Sequence, residues 1–479
     1  MKYRKQLSKV TLASTLVASS LLATTPMVSA NENNTAHKQQ SKEAKASVYG
    51  NTKNPKNIIF MVGDGLGPSY NSAYRHFADN PNTKEVERTT FDDYLVGTHQ
   101  THPDDPKENI TDSAAGGTAF STGVKTYNGA IGVDTNKKDL ETVLERAKTK
   151  GKSTGLVSTA EITDATPAAF AANVDNRDKK NEIAQQFYDQ RINGHHKVDV
   201  LLGGGSKYFG KENGNLNQKF KKDGYDVVTD KQQLATSKKD KVLGLFAEKN
   251  MPLQIDAPEK NPLLVDMQKA ALDKLSKNDK GFFLMVEGAS IDKQGHANDV
   301  TGVMSEMKSY EKAFEHAIQY ANEHPDTLVI STADHSTGGL SMGKDGEYNW
   351  KPEPIRQMKH SGRWMVEQIE AGKSVEEAIN AGYGFEVSKE AMKKMKKEAK
   401  KLSKINKDKD KEKYEQQLQK LHEAIQKPID DKSLTGWTST GHTGEDVDIY
   451  AHGPGAKHFR GNIDNTDNAK KMFEMIGDK

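Results

Sequence analysis

Carboxylates and imidazoles recur where apolar runs of this chain end: Asp64, Asp164, Glu287, Asp292, His296, Asp334, His335 and His442. One hydroxyl stands out beside them. Ser113 lies in Thr111-Asp112-Ser113-Ala114-Ala115-Gly116-Gly117-Thr118-Ala119, and small residues follow it. The segment reads as the start of a helix, whose unpaired N–H groups and positive dipole end favour an anion. A serine there suits attack on a phosphate. Asp and Ser are also ordinary helix caps, so the segment by itself allows a plain cap. Asp64, flanked by glycines after a strand, is equally open to a loop reading.

The spacing of the other groups points to metal. Asp292 and His296 are four apart, so one helical turn can aim both side chains at one ion. Asp334 and His335 are adjacent, and a tight turn can point both inward. Without cations, clustered carboxylates would repel and their pKa values would rise. The chain has no cysteine, so a metal site must use His, carboxylates and hydroxyls, which suits zinc, magnesium or manganese. The Asp and His mix fits two zinc ions with open positions for substrate. Asp64, Thr166 and Glu287 form a hard-oxygen set that suits Mg2+. Two metal ions about 4 Å apart clamp the attacking and leaving oxygens of an in-line displacement, with Ser113 as the nucleophile. Arg177 offers a planar fork for two phosphate oxygens, although most arginines are solvated surface residues.

These residues need a frame that gathers distant loops. Asn57–Val62 is a continuous apolar run, as in a strand buried on both faces. Thr154–Ser158, Val198–Leu202, Phe282–Val286 and Leu328–Thr332 repeat the pattern, and Asp446–Ala451 reads as a last strand. Leu140, Val143, Leu144 and Ala147 space as a helix ended by Gly151. Met307, Tyr310, Phe314, Ala317, Ile318 and Ala321 mark the core face of a longer helix closed by Pro325. Gly203-Gly204-Gly205 lacks the dinucleotide-binding spacing and reads as a strand-exit turn. His195-His196 follows Asn193-Gly194 in a turn and receives no role. The alternation of strand, polar loop and helix predicts an α/β fold, with a central, mostly parallel sheet flanked by helices on both faces. In such a sheet the strand-end loops meet along one edge.

Outside this frame, residues 1–30 read as a secretory signal: Lys2, Arg4, Lys5 and Lys9, then a short apolar stretch, then Val28-Ser29-Ala30 for cleavage. The apolar run is shorter than the roughly 20 residues of a membrane span. Residues 31–54 read as a flexible polar leader, and residues 55–479 as the folded domain. Within it, residues 341–435 break the rhythm. The Lys- and Glu-rich sequence from Ser388 to Lys427 predicts two charged helices hinged near Asn406-Lys407-Asp408, a solvated helical surface insertion. With 69 Lys and Arg against 67 Asp and Glu, nothing favours nucleic acid as a partner.

Taken together the motifs resemble the alkaline phosphatase family. They are Val62-Gly63-Asp64-Gly65, Thr111-Asp112-Ser113-Ala114-Ala115, Asp164-Ala165-Thr166-Pro167-Ala168-Ala169, Glu287-Gly288, Asp292-Lys293-Gln294-Gly295-His296, Thr332-Ala333-Asp334-His335 and Gly441-His442-Thr443, in family order. The resemblance implies hydrolysis of small phosphate monoesters with two Zn2+ and one Mg2+ per chain, and Ser113 as the phosphorylated nucleophile. It implies Asp292, His296 and His442 on the first zinc; Asp64, Asp334 and His335 on the second; and Asp64, Thr166 and Glu287 on magnesium. Arg177 would hold the phosphate and Asp112 would orient Arg177 and Ser113. Lys293 and Asp164 would act through water on the phosphate and the magnesium shell. The Asp164 and Lys293 pairing is like the enteric-bacterial branch. Two alternatives remain at this point. One is another phosphoryl-transfer enzyme of the superfamily, such as a phosphodiesterase, which Ser113 within Asp-Ser-Ala-Ala argues against. The other is a secreted non-catalytic binder of phosphate or wall polymers. A homodimer and retention at the cell wall are left open by the sequence.

Overall fold

A computed structural model describes residues 54–477; the expected export signal and nearly all of the polar leader lie outside them. Its centre is a ten-stranded sheet. In chain order the strands are β1 (Asn57–Gly63), β2 (Leu95–Gln100), β3 (Ser153–Glu161), β4 (Val200–Gly204), β5 (Asp226–Val228), β6 (Val242–Leu245), β7 (Phe282–Gly288), β8 (Thr327–Thr332), β9 (Val447–His452) and β10 (Gly461–Asp464). Their order across the sheet is β10-β2-β9-β8-β1-β7-β3-β4-β6-β5. Only β9 runs against the rest.

Period-2 alternation explains why the strands sort their side chains so cleanly. Ile59, Met61, Leu284, Val286 and Val329 enter the core under one face. Ile58, Phe60, Val62, Phe283, Met285, Leu328 and Ile330 enter the core under the other. Every residue of β1, β7 and β8 is buried, so these strands cannot sit at an edge. The long helix α4 (Val300–Glu323) covers the first face with Met307, Tyr310, Phe314, Ala317, Ile318 and Ala321. Helices α1 (Ser113–Thr122) and α2 (Ala165–Ala171) cover the second, where Phe60 meets Phe120 edge-on at 5.5 Å and Phe170 at 5.9 Å.

Several boundaries depart from the sequence reading. Leu140 lies before its helix, which starts at Val143 because Thr142 and Glu145 form a capping box. Gly203 and Gly204 belong to β4, and the turn begins at Gly205, where φ is +88°. Strand β10 follows β9, so Asp446–Ala451 is not the last strand. The charged segment forms α5 (Lys389–Leu402) and α6 (Lys411–Ser433). This pair is not solvated all round: Met395, Leu402, Leu421, Ile425 and Ile429 join the same apolar core as α4.

Candidate active site

Four neighbouring strands, β8, β1, β7 and β3, end side by side, and the residues after them form the site. The parallel register pairs Val62 with both Thr332 and Glu287, and Ser158 with Glu287. Asp64, Glu287, Asp164 and the Asp334-His335 pair therefore emerge at one edge. His442 arrives by another route. It precedes β9, and because β9 is reversed its start lies at that same edge; His442 is also paired with Thr337 in a short two-stranded ladder.

Helix α1 supplies the hydroxyl. Asp112 caps it by accepting from the Ala115 N–H at 2.9 Å, and the left-handed Gly123 ends it. Ser113 is thus the first helical residue, buried, with its Oγ 3.3 Å from His335 Nε2. The small residues after it have a purpose here. A Cβ on Gly116 would lie 3.1 Å from Asp334 Cβ, and one on Gly117 would lie 3.1 Å from Ala169 of α2. Gly65 has φ +69°, and a Cβ there would sit 2.8 Å from the Asp292 Cα. Glycine is required at that turn on both counts.

The three imidazoles are oriented alike. His296 Nδ1 bonds the Thr440 carbonyl at 2.6 Å, His442 Nδ1 the Thr111 carbonyl at 2.8 Å, and His335 Nδ1 the Ser336 carbonyl at 3.3 Å. In a neutral ring the nitrogen facing a carbonyl donates to it, so Nε2 is the atom each imidazole can offer to a cation. Those atoms converge. His296 Nε2 and His442 Nε2 are 3.1 Å apart, and Asp292 Oδ1 lies 3.3 Å from the first and 3.6 Å from the second. Helix α3 (Ser290–His296) thus does aim Asp292 and His296 at one point. His335 Nε2 sits between two groups, one with Asp292 and His442 and one with Asp64 and Asp334. It is 3.6 Å from Asp64 Oδ1 and 3.3 Å from Asp334 Oδ2.

The donor set fits cations. Asp64 Oδ1, Asp334 Oδ2 and Thr166 Oγ1 are buried oxygens with no hydrogen-bond partner, an expensive state unless something positive meets them. Burial, then the Asp334, Asp292 and Glu287 carboxylates, push the Asp64 carboxyl well above its usual range. Burial also raises Glu287 to about 7, although the Ser158 hydroxyl donates to it. Burial and the neighbouring His335 lower His442 to about 4, so that ring stays neutral and available as a ligand. Asp334 goes the other way: burial raises it, but His335 beside it outweighs that and holds it low.

A second group of charges adjoins the first. Arg177 places Nη1 3.0 Å from Asp112 Oδ2 and Nη2 3.5 Å from Asp164 Oδ1. Lys293 Nζ lies 3.1 Å from Asp164 Oδ2. Burial opposes ionisation of Asp164, yet Lys293, Lys180 and Arg177 hold its carboxyl well below the ordinary range. The sequence reading missed Lys180, Thr337 and Asn128. Thr337 donates to Asp292 Oδ1 at 2.5 Å. Asn128 accepts from the Asp112 N–H at 2.9 Å and donates to the Ile110 carbonyl at 2.9 Å. Lys180 and Thr337 stand close in sequence to Arg177 and His335; Asn128 had no such neighbour to point to it. His196, left without a role, bonds Asp223 at 2.9 Å.

Known proteins match both the sequence and the fold. The alkaline phosphatase family model matches residues 55–477. This chain belongs to the alkaline phosphatase family. It is 44% identical over 476 residues to alkaline phosphatase 3 of Bacillus subtilis, covering 99% of this chain and 98% of that one. The cold-active alkaline phosphatase of Shewanella sp. has a similar structure, with a TM-score of 0.79 and 41% identity over 88% of this chain and 100% of that one. A mutant alkaline phosphatase of the Antarctic bacterium TAB5, with Mg bound in its M3 site, is similar at a TM-score of 0.63 and 26% identity, over 89% of this chain and 99% of that one. An alkaline phosphatase is a metal-dependent phosphatase, and the fold here is the family's parallel sheet. Among the described residues no helix is long and apolar enough to cross a membrane.

Proposed function

We propose that this alkaline phosphatase hydrolyses phosphate monoesters to an alcohol and inorganic phosphate through a phosphoserine at Ser113. One juxtaposition carries the reading. The Ser113 hydroxyl stands 3.3 Å from His335 Nε2, where the two carboxylate and imidazole groups meet. Asp292, His296 and His442 would hold one zinc; Asp64, Asp334 and His335 a second; Asp64, Thr166 and Glu287 a magnesium. Bound there, such cations stabilise charge on the attacking and leaving oxygens and bring the pKa of water to about 7.

The chain's own residues do the rest. Ser113, at the first turn of α1, attacks phosphorus in line with the departing alcohol, which takes up a proton. Water then attacks phosphorus from the side the alcohol left, and the Ser113 oxygen departs and is reprotonated. Two inversions return the phosphorus to its starting configuration. Asp112 fixes α1 through Ala115 and fixes Arg177 through Nη1, so nucleophile and guanidinium are set by one carboxylate. Arg177 spreads its fork over the equatorial oxygens, and Lys293 adds positive charge beside them. Asp164 keeps Lys293 in place.

The experiment is Ser113→Ala. Its turnover of a nitrophenyl phosphate should fall by several orders of magnitude, with metal content unchanged. Turnover like that of the unaltered protein would reject Ser113 as the nucleophile. Export is part of the proposal. The basic start, short apolar stretch and Val28-Ser29-Ala30 of the sequence support cleavage after Ala30 and release to the outside. Amino-terminal sequencing of protein recovered from the medium tests it, with Asn31 expected first.

A further inference from the structure

Asp164 is held from three sides, and one of the three groups has no place in the scheme above. Its Oδ2 faces Lys293 Nζ at 3.1 Å. Its Oδ1 faces Lys180 Nζ at 3.0 Å and, farther off, Arg177 Nη2 at 3.5 Å. Lys180 is itself clamped on its other side, with Nζ 2.7 Å from Glu161 Oε2. Glu161 is fixed in turn: Lys207 Nζ lies 2.8 Å from its Oε1, and its N–H donates to Asn250 Oδ1 at 3.1 Å. Lys180, Glu161 and Asp164 expose less than a fifth of their side chains.

A carboxylate beside a guanidinium ordinarily captures it in a two-bonded fork. Here Asp112 takes Nη1, and Asp164 is the rival for Nη2. The Lys180 ammonium stands nearer to that oxygen than Arg177 does, and Glu161 prevents it from swinging away. The lysine thus satisfies Asp164 Oδ1 and leaves the second guanidinium nitrogen loosely held.

We propose that Lys180 is a positioning residue for phosphate binding: by occupying Asp164 it keeps Arg177 Nη2 free for the phosphoryl oxygens. Lys180 touches neither the substrate nor the nucleophile. It sets phosphate affinity through Arg177. The inference rests on the phosphatase reading above and deepens it.

The test is Lys180→Met, assayed with a nitrophenyl phosphate and with inorganic phosphate as inhibitor. Without the ammonium, Asp164 draws Nη2 to itself and one charged hydrogen bond to phosphate is lost. KM and the inhibition constant of phosphate should both rise about 10-fold, the size of one such bond, while kcat changes less. Metal content should stay close to that of the unaltered protein, and Tm should fall because Glu161 and Asp164 lose a buried partner. Lys180→Arg, which keeps the charge, should restore most of the affinity. If Lys180→Met does not accumulate as folded protein, Glu161→Gln gives the same readout with the same sign and a smaller size. An unchanged phosphate inhibition constant in a folded variant overturns the proposal, as does a KM rise that tracks loss of metal. Failure of the unaltered protein to hydrolyse the monoester would instead overturn the phosphatase reading itself.

Discussion

Two clusters of buried charge lie side by side at the carboxyl edge of the sheet, and they are balanced differently. Around His335, the carboxylates Asp64, Asp292 and Asp334 face three imidazoles, with buried oxygens left unpaired. Around Asp164, every carboxylate has a cation: Lys180, Arg177 and Lys293 on Asp164, Lys180 and Lys207 on Glu161, Arg177 on Asp112. The carboxylates at the centre of each, Asp64 and Asp334 in the first and Asp164 and Glu161 in the second, are buried. The first needs charge from outside the chain, and the second is complete without it. Desolvation punishes an unpaired buried ion by several kcal/mol, so the contrast separates what must be loaded from what folds ready-made.

Removing the external charge should have the largest effect. Excess EDTA should silence hydrolysis of a nitrophenyl phosphate and lower Tm, because binding to the native state alone stabilises it. Zinc with magnesium should restore both. Activity that survives exhaustive chelation, with metal shown absent by elemental analysis, would abolish the distinction between the clusters.

A subtler cut removes only support for the first cluster. Thr337 donates to Asp292 Oδ1 and sits 3.2 Å from His335 Nδ1, so it steadies one residue of each group. Thr337→Val keeps the shape and deletes the hydroxyl. Loss of such an outer contact costs roughly 10- to 100-fold in metal affinity or activity. The variant should need more zinc for full activity while its Lys180-dependent phosphate affinity stays unchanged. A titration with zinc against a competing chelator measures this, and an unshifted curve would show that Asp292 is held well enough without it.

The same contrast marks how much could be read from the sequence. The unpaired cluster was legible because its residues stand at the ends of long apolar runs such as Phe282–Val286, and strand period and loop chemistry agree there. The paired cluster was not. Lys180 looks like any lysine in Arg177-Asp178-Lys179-Lys180, and only the fold brings it 2.7 Å from Glu161. Short or partly exposed strands such as β2 and β10 carry too few apolar residues to show a period. In α6 the apolar face Leu421, Ile425 and Ile429 follows an i, i+4, i+8 spacing, but dense lysine and glutamate hid it. The charges suggested a helix wetted all round, whereas that face lies in the same core as α4.

The smallest expected effect tests where the paired cluster ends. Lys207 is its outermost member, a third exposed, and reaches Glu161 from the surface. Glu161 keeps Lys180 on its other oxygen and the Asn250 contact on its backbone when Lys207 is removed. An ion pair so open to water contributes below about 1 kcal/mol, and salt screens it further. Lys207→Met should therefore shift Tm only slightly and leave KM and phosphate inhibition where they were. A KM rise matching that of Lys180→Met would mean that phosphate affinity is set by the whole chain of charges out to the surface. It would then fall with ionic strength in the unaltered protein, which a salt series on KM reads directly. An unmoved KM confines the effect to the single lysine that stands between Glu161 and Asp164.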